Sequence, residues 1–242
     1  MLTLYIDADY LCPWSWSCWA TLHIKLCRDE WKLETIDLAA GEQREDPYAE
    51  LSLTERVQML VHDDFTITES TAITEYLEEQ YPPPEFWSVF PIGARGRTRA
   101  RQLHSWFRTD FHRLLEERPM ECIFGDYAAR PLSPTATREM HKLYGVLGDL
   151  LQMGQRSVFA GKSITLVDIE AAILLQRLRK SGDAMPLPLQ LFAKEHWSHS
   201  HIQDWIQAHF RAKDHAKTTK RVPKPTPAPP KRRALRLVPK PE

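Results

Sequence analysis

Leu2-Thr3-Leu4-Tyr5-Ile6 is a short run of strand-favouring, mostly apolar residues and predicts a first strand. Trp16 to Leu26 predicts a helix, and Trp31 to Leu38 alternates apolar and polar positions as a half-buried strand does. Ala39 to Arg56 is polar and poorly periodic, a helix-like stretch at most. Val57 to Val61 and Phe65 to Thr68 flank His62-Asp63-Asp64, a hairpin pattern in which Asp tolerates a left-handed turn. Glu69-Ser70 then opens a helix over Thr71–Gln80. Its apolar stripe is Ala72, Ile73, Tyr76 and Leu77, and Pro82-Pro83-Pro84 ends it. The order predicts a small α/β unit.

Beyond Pro91 the apolar period becomes helical. Ala94 to Glu117 predicts one long helix, with Leu103, Trp106, Phe107, Phe111 and Leu114 on one side. Thr135 to Met153 predicts another, and Asp168 to Arg179 is apolar almost all round, the pattern of a buried central helix. Pro188–Trp197 and His201–Phe210 predict shorter ones, and Thr165-Leu166-Val167-Asp168 reads as a capping box. With no strand pattern in this half, the expected plan is an α/β domain at 1–82, a linker at 83–91 and an all-α domain at 92–212. A tail would follow at 213–242.

Charge changes the picture only at the end. The net charge of zero hides a basic tail: from Arg211 onward there are eleven Lys/Arg against Asp214 and Glu242, a net of +9, so the preceding 210 residues carry −9. Pro223, Pro225, Pro227, Pro229, Pro230, Pro239 and Pro241 lie in that tail, so a disordered, partly polyproline-like extension is expected. Lys231-Arg232-Arg233 and Arg236 could meet nucleic-acid or lipid phosphates, but no aromatic platform interleaves with them, and a solubilising tail is the preferred reading. No apolar run approaches a membrane span, and no basic segment followed by an apolar stretch opens the chain. Cys12, Cys18, Cys27 and Cys122 have neither disulfide-framework nor zinc spacing. A soluble cytoplasmic protein is expected. His196, His199 and His201 lack a completing partner, so no metal is expected.

Candidate chemistry concentrates in Leu11-Cys12-Pro13-Trp14-Ser15, at the seam between the first strand and the first helix. Free N–H groups and the positive end of a helix favour a thiolate there, and Pro13 suits the first helical position. The plainer alternative is a small buried cysteine. Ser70 likewise reads either as an ordinary N-cap or as a ligand-binding hydroxyl.

A small α/β part with Cys or Ser at the start of its first helix, Glu-Ser opening its third helix and a helical part behind it resembles the cytosolic glutathione S-transferases, over about residues 2–210. Glu69 to Glu78 resembles the family's glutathione-binding segment, and the Thr165–Asp168 stretch its buried folding motif. The resemblance implies a thioredoxin-like N-terminal domain, an all-α C-terminal domain, a homodimer and glutathione as co-substrate. It implies that Glu69 accepts from the γ-glutamyl ammonium, and that Ser70 with the helix amides receives the adjoining carboxylate. The Val57 backbone would pair with the cysteinyl part, Gln43 would meet the glycyl carboxylate, and Cys12 would meet the sulfur. A small electrophile, peroxide or disulfide would enter between the domains, with Trp14 as one wall. Of Arg97, Arg99, Arg101, Arg108 and Arg113, most would form a solvated face, with one or two nearing the cleft.

Cys-Pro-Trp-Ser resembles the single-thiol arrangement of omega-like members, which implies thiol transfer ahead of conjugation. One departure stands out: Gln58 occupies the family's cis-proline position. A non-proline cis bond costs about 3–4 kcal/mol, so a trans peptide with weakened glutathione binding is the preferred expectation, a strained cis bond kept at the site being the alternative. The alternative function is a non-catalytic scaffold of this fold that binds a protein or anionic partner.

Overall fold

The computed structural model describes residues 1–125, 127–152, 158–160 and 162–218. Its sheet has four strands in the order β2-β1-β3-β4. β1 (Leu2–Asp7) lies parallel to β2 (Trp31–Ile36), Leu2 opposite Trp31, and antiparallel to β3 (Met59–His62), Leu4 opposite Leu60. β4 (Phe65–Thr68) closes a hairpin on β3 through Asp63, which takes the left-handed conformation (φ 55°) that the sequence predicts. A parallel pair needs a crossover, and α1 (Pro13–Lys25) supplies it. It begins at Pro13 rather than Trp16, because proline's fixed φ already matches the first turn. The polar stretch after β2 holds a 3₁₀ turn at Glu42–Arg44 and the short α2 (Tyr48–Leu51). α3 (Ser70–Gln80) buries Ile73 and Leu77, and its Glu78 forms a buried ion pair with Lys25 of α1 at 2.7 Å.

All further elements among the described residues are helices: α4 (Ala94–Thr109), α5 (His112–Glu117), α6 (Glu121–Phe124), α7 (Pro134–Gln152), α8 (Leu166–Lys180), α9 (Leu187–Trp197) and α10 (Ser200–Thr218). The single long helix expected over Ala94–Glu117 is therefore two. Phe111 leaves the helical region (φ −115°, ψ 34°) and is fully buried, while Trp106 Nε1 donates to Asp110 Oδ2 at 2.7 Å across the break. α10 continues past Phe210 to Thr218 and so takes in Lys213, where the sequence starts the tail. The expectation of disorder from 219 to 242 lies outside the described residues.

α8 is buried from Leu166 to Leu178, as the apolar pattern requires. The Asp168 carboxylate caps it, accepting from Thr165 N, Thr165 Oγ1 and Phe159 N, each at 2.7 Å. α1 packs between the sheet and this helical half: Trp16 Nε1 donates to His201 O at 3.4 Å, and Trp205 Nε1 to Tyr10 O at 2.9 Å. Among the described residues no helix is long and apolar enough to cross a membrane.

Candidate functional site

Cys12 is the residue before the first turn of α1, with extended backbone (φ −82°, ψ 112°). Asp7, at the end of β1, is buried, and its carboxylate takes the N–H groups of Leu11 and Cys12, the latter at 3.1 Å. The Cys12 amide expected to favour a thiolate is therefore held by a carboxylate. Burial pushes the Cys12 thiol up and the Asp7 charge adds to it, outweighing the Ser15 hydroxyl and the amides of Ser15 and Trp14. The expectation of a depressed thiol is corrected: the helix-start effect is real but is outmatched by burial and by a negative neighbour.

Across the seam, the half-buried Cys12 Sγ lies 3.8 Å from Gln58 Oε1, and the buried Ser15 Oγ donates to the same oxygen at 3.5 Å. The Val57–Gln58 peptide is cis, which corrects the expected trans bond. The sequence weighs that bond in isolation, whereas the fold seats the buried Gln58 amide against Cys12 and Ser15, groups distant from it along the chain. Val57 itself is half-buried against Ile36, Tyr48 and Met59.

At the start of α3, Glu69 rather than Ser70 is the capping residue, with the positive φ of 74° that non-glycine residues rarely adopt. Its carboxylate is exposed and makes no capping hydrogen bond to the helix. Ser70 is buried, and its Oγ accepts from Arg108 Nε and Nη2, both at 3.3 Å. The ordinary N-cap reading of Ser70 therefore gives way.

Arg108 is the member of the α4 arginine series that reaches the seam. Its guanidinium lies 4.0 Å from the centre of the Trp14 ring and donates to Glu170 Oε1 at 2.8 Å. Glu170, buried on α8, also accepts from Ser17 Oγ at 2.6 Å and lies 2.9 Å from His104 Nδ1. Burial by itself would raise the Glu170 carboxyl, but Arg108 and then His104 outweigh it and hold it well below the usual range. Arg101 and Arg113, by contrast, pair with glutamates on the exposed surface. Sequence reading missed Asp7, Ser15 and Glu170 as site members, and marked Gln58 only as a departure from the family's proline. The Ser of Cys-Pro-Trp-Ser was the available signal for Ser15.

Gln43 is half-buried in the 3₁₀ turn, and its amide oxygen is buried without a hydrogen-bond partner among the described residues. It makes no hydrogen bond to the Cys12 group. A narrow pocket, open to solvent, lies beside Cys12, lined by Pro13, Trp14 and Trp16 of α1, Phe107 and Leu115, and Glu170, Ile173, Leu174 and Arg177 of α8. Trp14 borders this pocket. Among the described residues no group of three His, Cys, Asp or Glu side chains is placed to hold a metal ion.

These features define a two-part thiol-site fold, with a small mixed sheet presenting a cysteine seam against a helical half. The sequence profile of the glutathione S-transferase N-terminal domain matches residues 11–80, and that of the C-terminal domain matches residues 94–211. A glutathione transferase homolog from Burkholderia gl BGR1, crystallised with bound glutathione, is 31% identical and superposes with a TM-score of 0.68 over 88% of this chain and 98% of that one. Human glutathione transferase theta-2, in complex with glutathione and an unknown ligand, shares the fold at 21% identity and a TM-score of 0.64, over 95% of this chain and 94% of that one. Human glutathione S-transferase theta-1 is 28% identical over 144 residues, 58% of this chain and 59% of its own length. The chain thus spans about three fifths of the curated theta relatives it matches first. The chain belongs to the glutathione S-transferase family, and its fold is the thioredoxin-like plus all-helical one that the resemblance implies.

Proposed function

We propose that the protein is a glutathione transferase in which the Cys12 thiol sits at the glutathione sulfur. The carrying observation is the Cys12–Ser15–Gln58 cluster at the start of α1, beside an apolar cavity. Glutathione bound to the Burkholderia homolog supports the choice of ligand. The glutathione-binding unit is residues 1–82, joined through 83–91 to the helical unit 92–212. Glu69 accepts from the γ-glutamyl ammonium, and Ser70 with the first amides of α3 receives its carboxylate. Val57 pairs its backbone with the cysteinyl part, and Gln43 meets the glycyl carboxylate. Thr35–Leu38, Ser70–Glu78, Arg97–Arg101 and Glu116–Pro119 resemble the bacterial glutathione transferase YfcF. A cytoplasmic homodimer follows from family habit, and sedimentation tests the pairing.

Because burial and Asp7 keep the proton on Cys12, its S–H donates to the glutathione thiolate. The glutathione sulfur then attacks an electrophilic carbon in the cavity: a C–S bond forms, and the bond to the leaving group breaks with its electron pair. Thiol transfer and peroxide reduction through a Cys12–glutathione disulfide form a second reading, favoured by the sulfur at this position where a hydroxyl would serve donation alone.

Cys12→Ser separates the two readings. Under donation, conjugation of an aryl halide stays within about threefold of wild type, while Cys12→Ala falls by about tenfold or more, the worth of a hydrogen bond to a charged group. Under thiol transfer, Cys12→Ser loses reduction of a glutathione mixed disulfide. Equal conjugation by all three proteins overturns the donor role. Failure of the wild type to bind immobilised glutathione overturns the enzyme reading in favour of a scaffold.

A further inference from the structure

Arg177 is the one charged side chain of the cavity whose charge is not already committed. It sits on α8 and is only 5% exposed. Its Nε donates to Arg118 O, and its Nη2 to Leu115 O at 3.0 Å. Both acceptors are neutral carbonyls, and among the described residues no carboxylate forms an ion pair with it. Other buried cations are matched: Lys25 with Glu78, Arg118 with Asp183, and Arg108, less buried, with Glu170. Glu121 and Cys122 act on Arg177 only through space, as does Cys12 from the seam. Glu170 also borders the cavity, but its oxygens are taken by Arg108, His104 and Ser17.

Burial lowers Arg177 to about 10, which leaves it charged at neutral pH. A buried cation with no counter-ion is unfavourable, and an incoming anion relieves that cost while forming charge-assisted hydrogen bonds. A guanidinium suits a planar carboxylate or a sulfonate better than an ammonium does, because its donors form a fixed fork. The rest of the lining is apolar: Trp14, Phe107, Leu115, Ile173 and Leu174. A small apolar body with one anionic group matches this distribution.

We propose that the cavity takes electrophiles carrying a carboxylate or sulfonate on an apolar body, with Arg177 holding the anion and so setting co-substrate preference. This deepens, and rests on, the transferase reading of the Cys12 seam. In the reaction the glutathione sulfur bonds to the electrophilic carbon, the leaving group departs as an anion, and the thiol proton passes to solvent. The anion of the substrate stays on Arg177 and takes no part in bond exchange.

The full chain is assayed with a chlorodinitrobenzoate and with the matching neutral chlorodinitrobenzamide, each corrected for its uncatalysed rate. Wild type favours the benzoate in kcat/KM by about tenfold or more, the value expected of a charge-assisted contact. Arg177→Met brings the ratio toward one, and Arg177→Lys restores part of it. A wild-type ratio of one overturns the proposal. Binding of anilinonaphthalene sulfonate against neutral N-phenylnaphthylamine gives a readout without turnover. If neither halide is conjugated, the transferase reading fails, and the dye pair still decides anion preference: tighter sulfonate binding lost in Arg177→Met supports it, and equal affinity overturns it. If Arg177→Met does not fold, the wild-type ratios decide.

Discussion

Burial, reinforced by Asp7 from behind, governs the reactivity of Cys12. The Asp7 carboxylate accepts the Leu11 and Cys12 amides, so it both shapes the turn into α1 and places a negative charge beside the sulfur. A raised thiol carries less thiolate at any given pH, and the thiolate is the form that alkylates. Iodoacetamide should therefore label Cys12 more slowly at pH 8 than it labels a free thiol, with a labelling midpoint above about 8.5, the ordinary cysteine value. Peptide mass analysis distinguishes Cys12 from the exposed Cys27. Asp7→Asn removes the charge and should move the midpoint down. An unmoved midpoint would mean that burial acts alone. Ser70 shows the opposite relation between neighbours, since its hydroxyl is oriented by a cation, Arg108, that is itself anchored on Glu170.

The helices and strands divide by what marks their ends. The β3–β4 hairpin was legible because Asp63 sits where only a residue tolerant of φ 55° fits, and the start of α8 because Thr165 and Asp168 stand at capping-box spacing. The break between α4 and α5 was not: Trp106, Phe107, Phe111 and Leu114 keep one apolar rhythm across it, and Asp110 alone gives no stop signal. α6 is too short to show a period, and α10 runs past its last clear apolar position. The α8 cap yields a quantitative expectation. Asp168→Ala strands three buried donors at once, so urea unfolding should show a loss of about 2–4 kcal/mol with little change in slope. A loss below about 1 kcal/mol would mean that the donors find other acceptors. α10 bears on truncation too: removing residues 219–242 should leave glutathione retention unchanged, whereas cuts inside Ser200–Thr218 disturb a helix that donates Trp205 Nε1 to Tyr10.

At the scale of the whole molecule, the site is a join between halves, and joins are what a linear sequence hides. Cys12, Glu69 and Ser70 could be proposed from sequence because each sits in a local motif. Glu170 could not, since its partners Ser17 and Arg108 lie 153 and 62 positions away and nothing local marks it. Yet Glu170 ties α1 and α4 to α8 through Ser17, His104 and Arg108. Its carboxyl is held below the value it has in the unfolded chain, so the unfolded state takes up its proton first as pH falls. The stabilisation is full above the unfolded value, near pH 4.3, and is lost progressively below it. Thermal midpoints measured from pH 7 down to pH 3 should therefore fall on the acid side, most steeply below about pH 4.5. Glu170→Gln should cost about 3 kcal/mol at pH 7, because it leaves Arg108 without its carboxylate, and it should flatten the acid decline. Parallel pH profiles for the two proteins would mean that the acid sensitivity resides in other carboxylates and that the join survives protonation of Glu170.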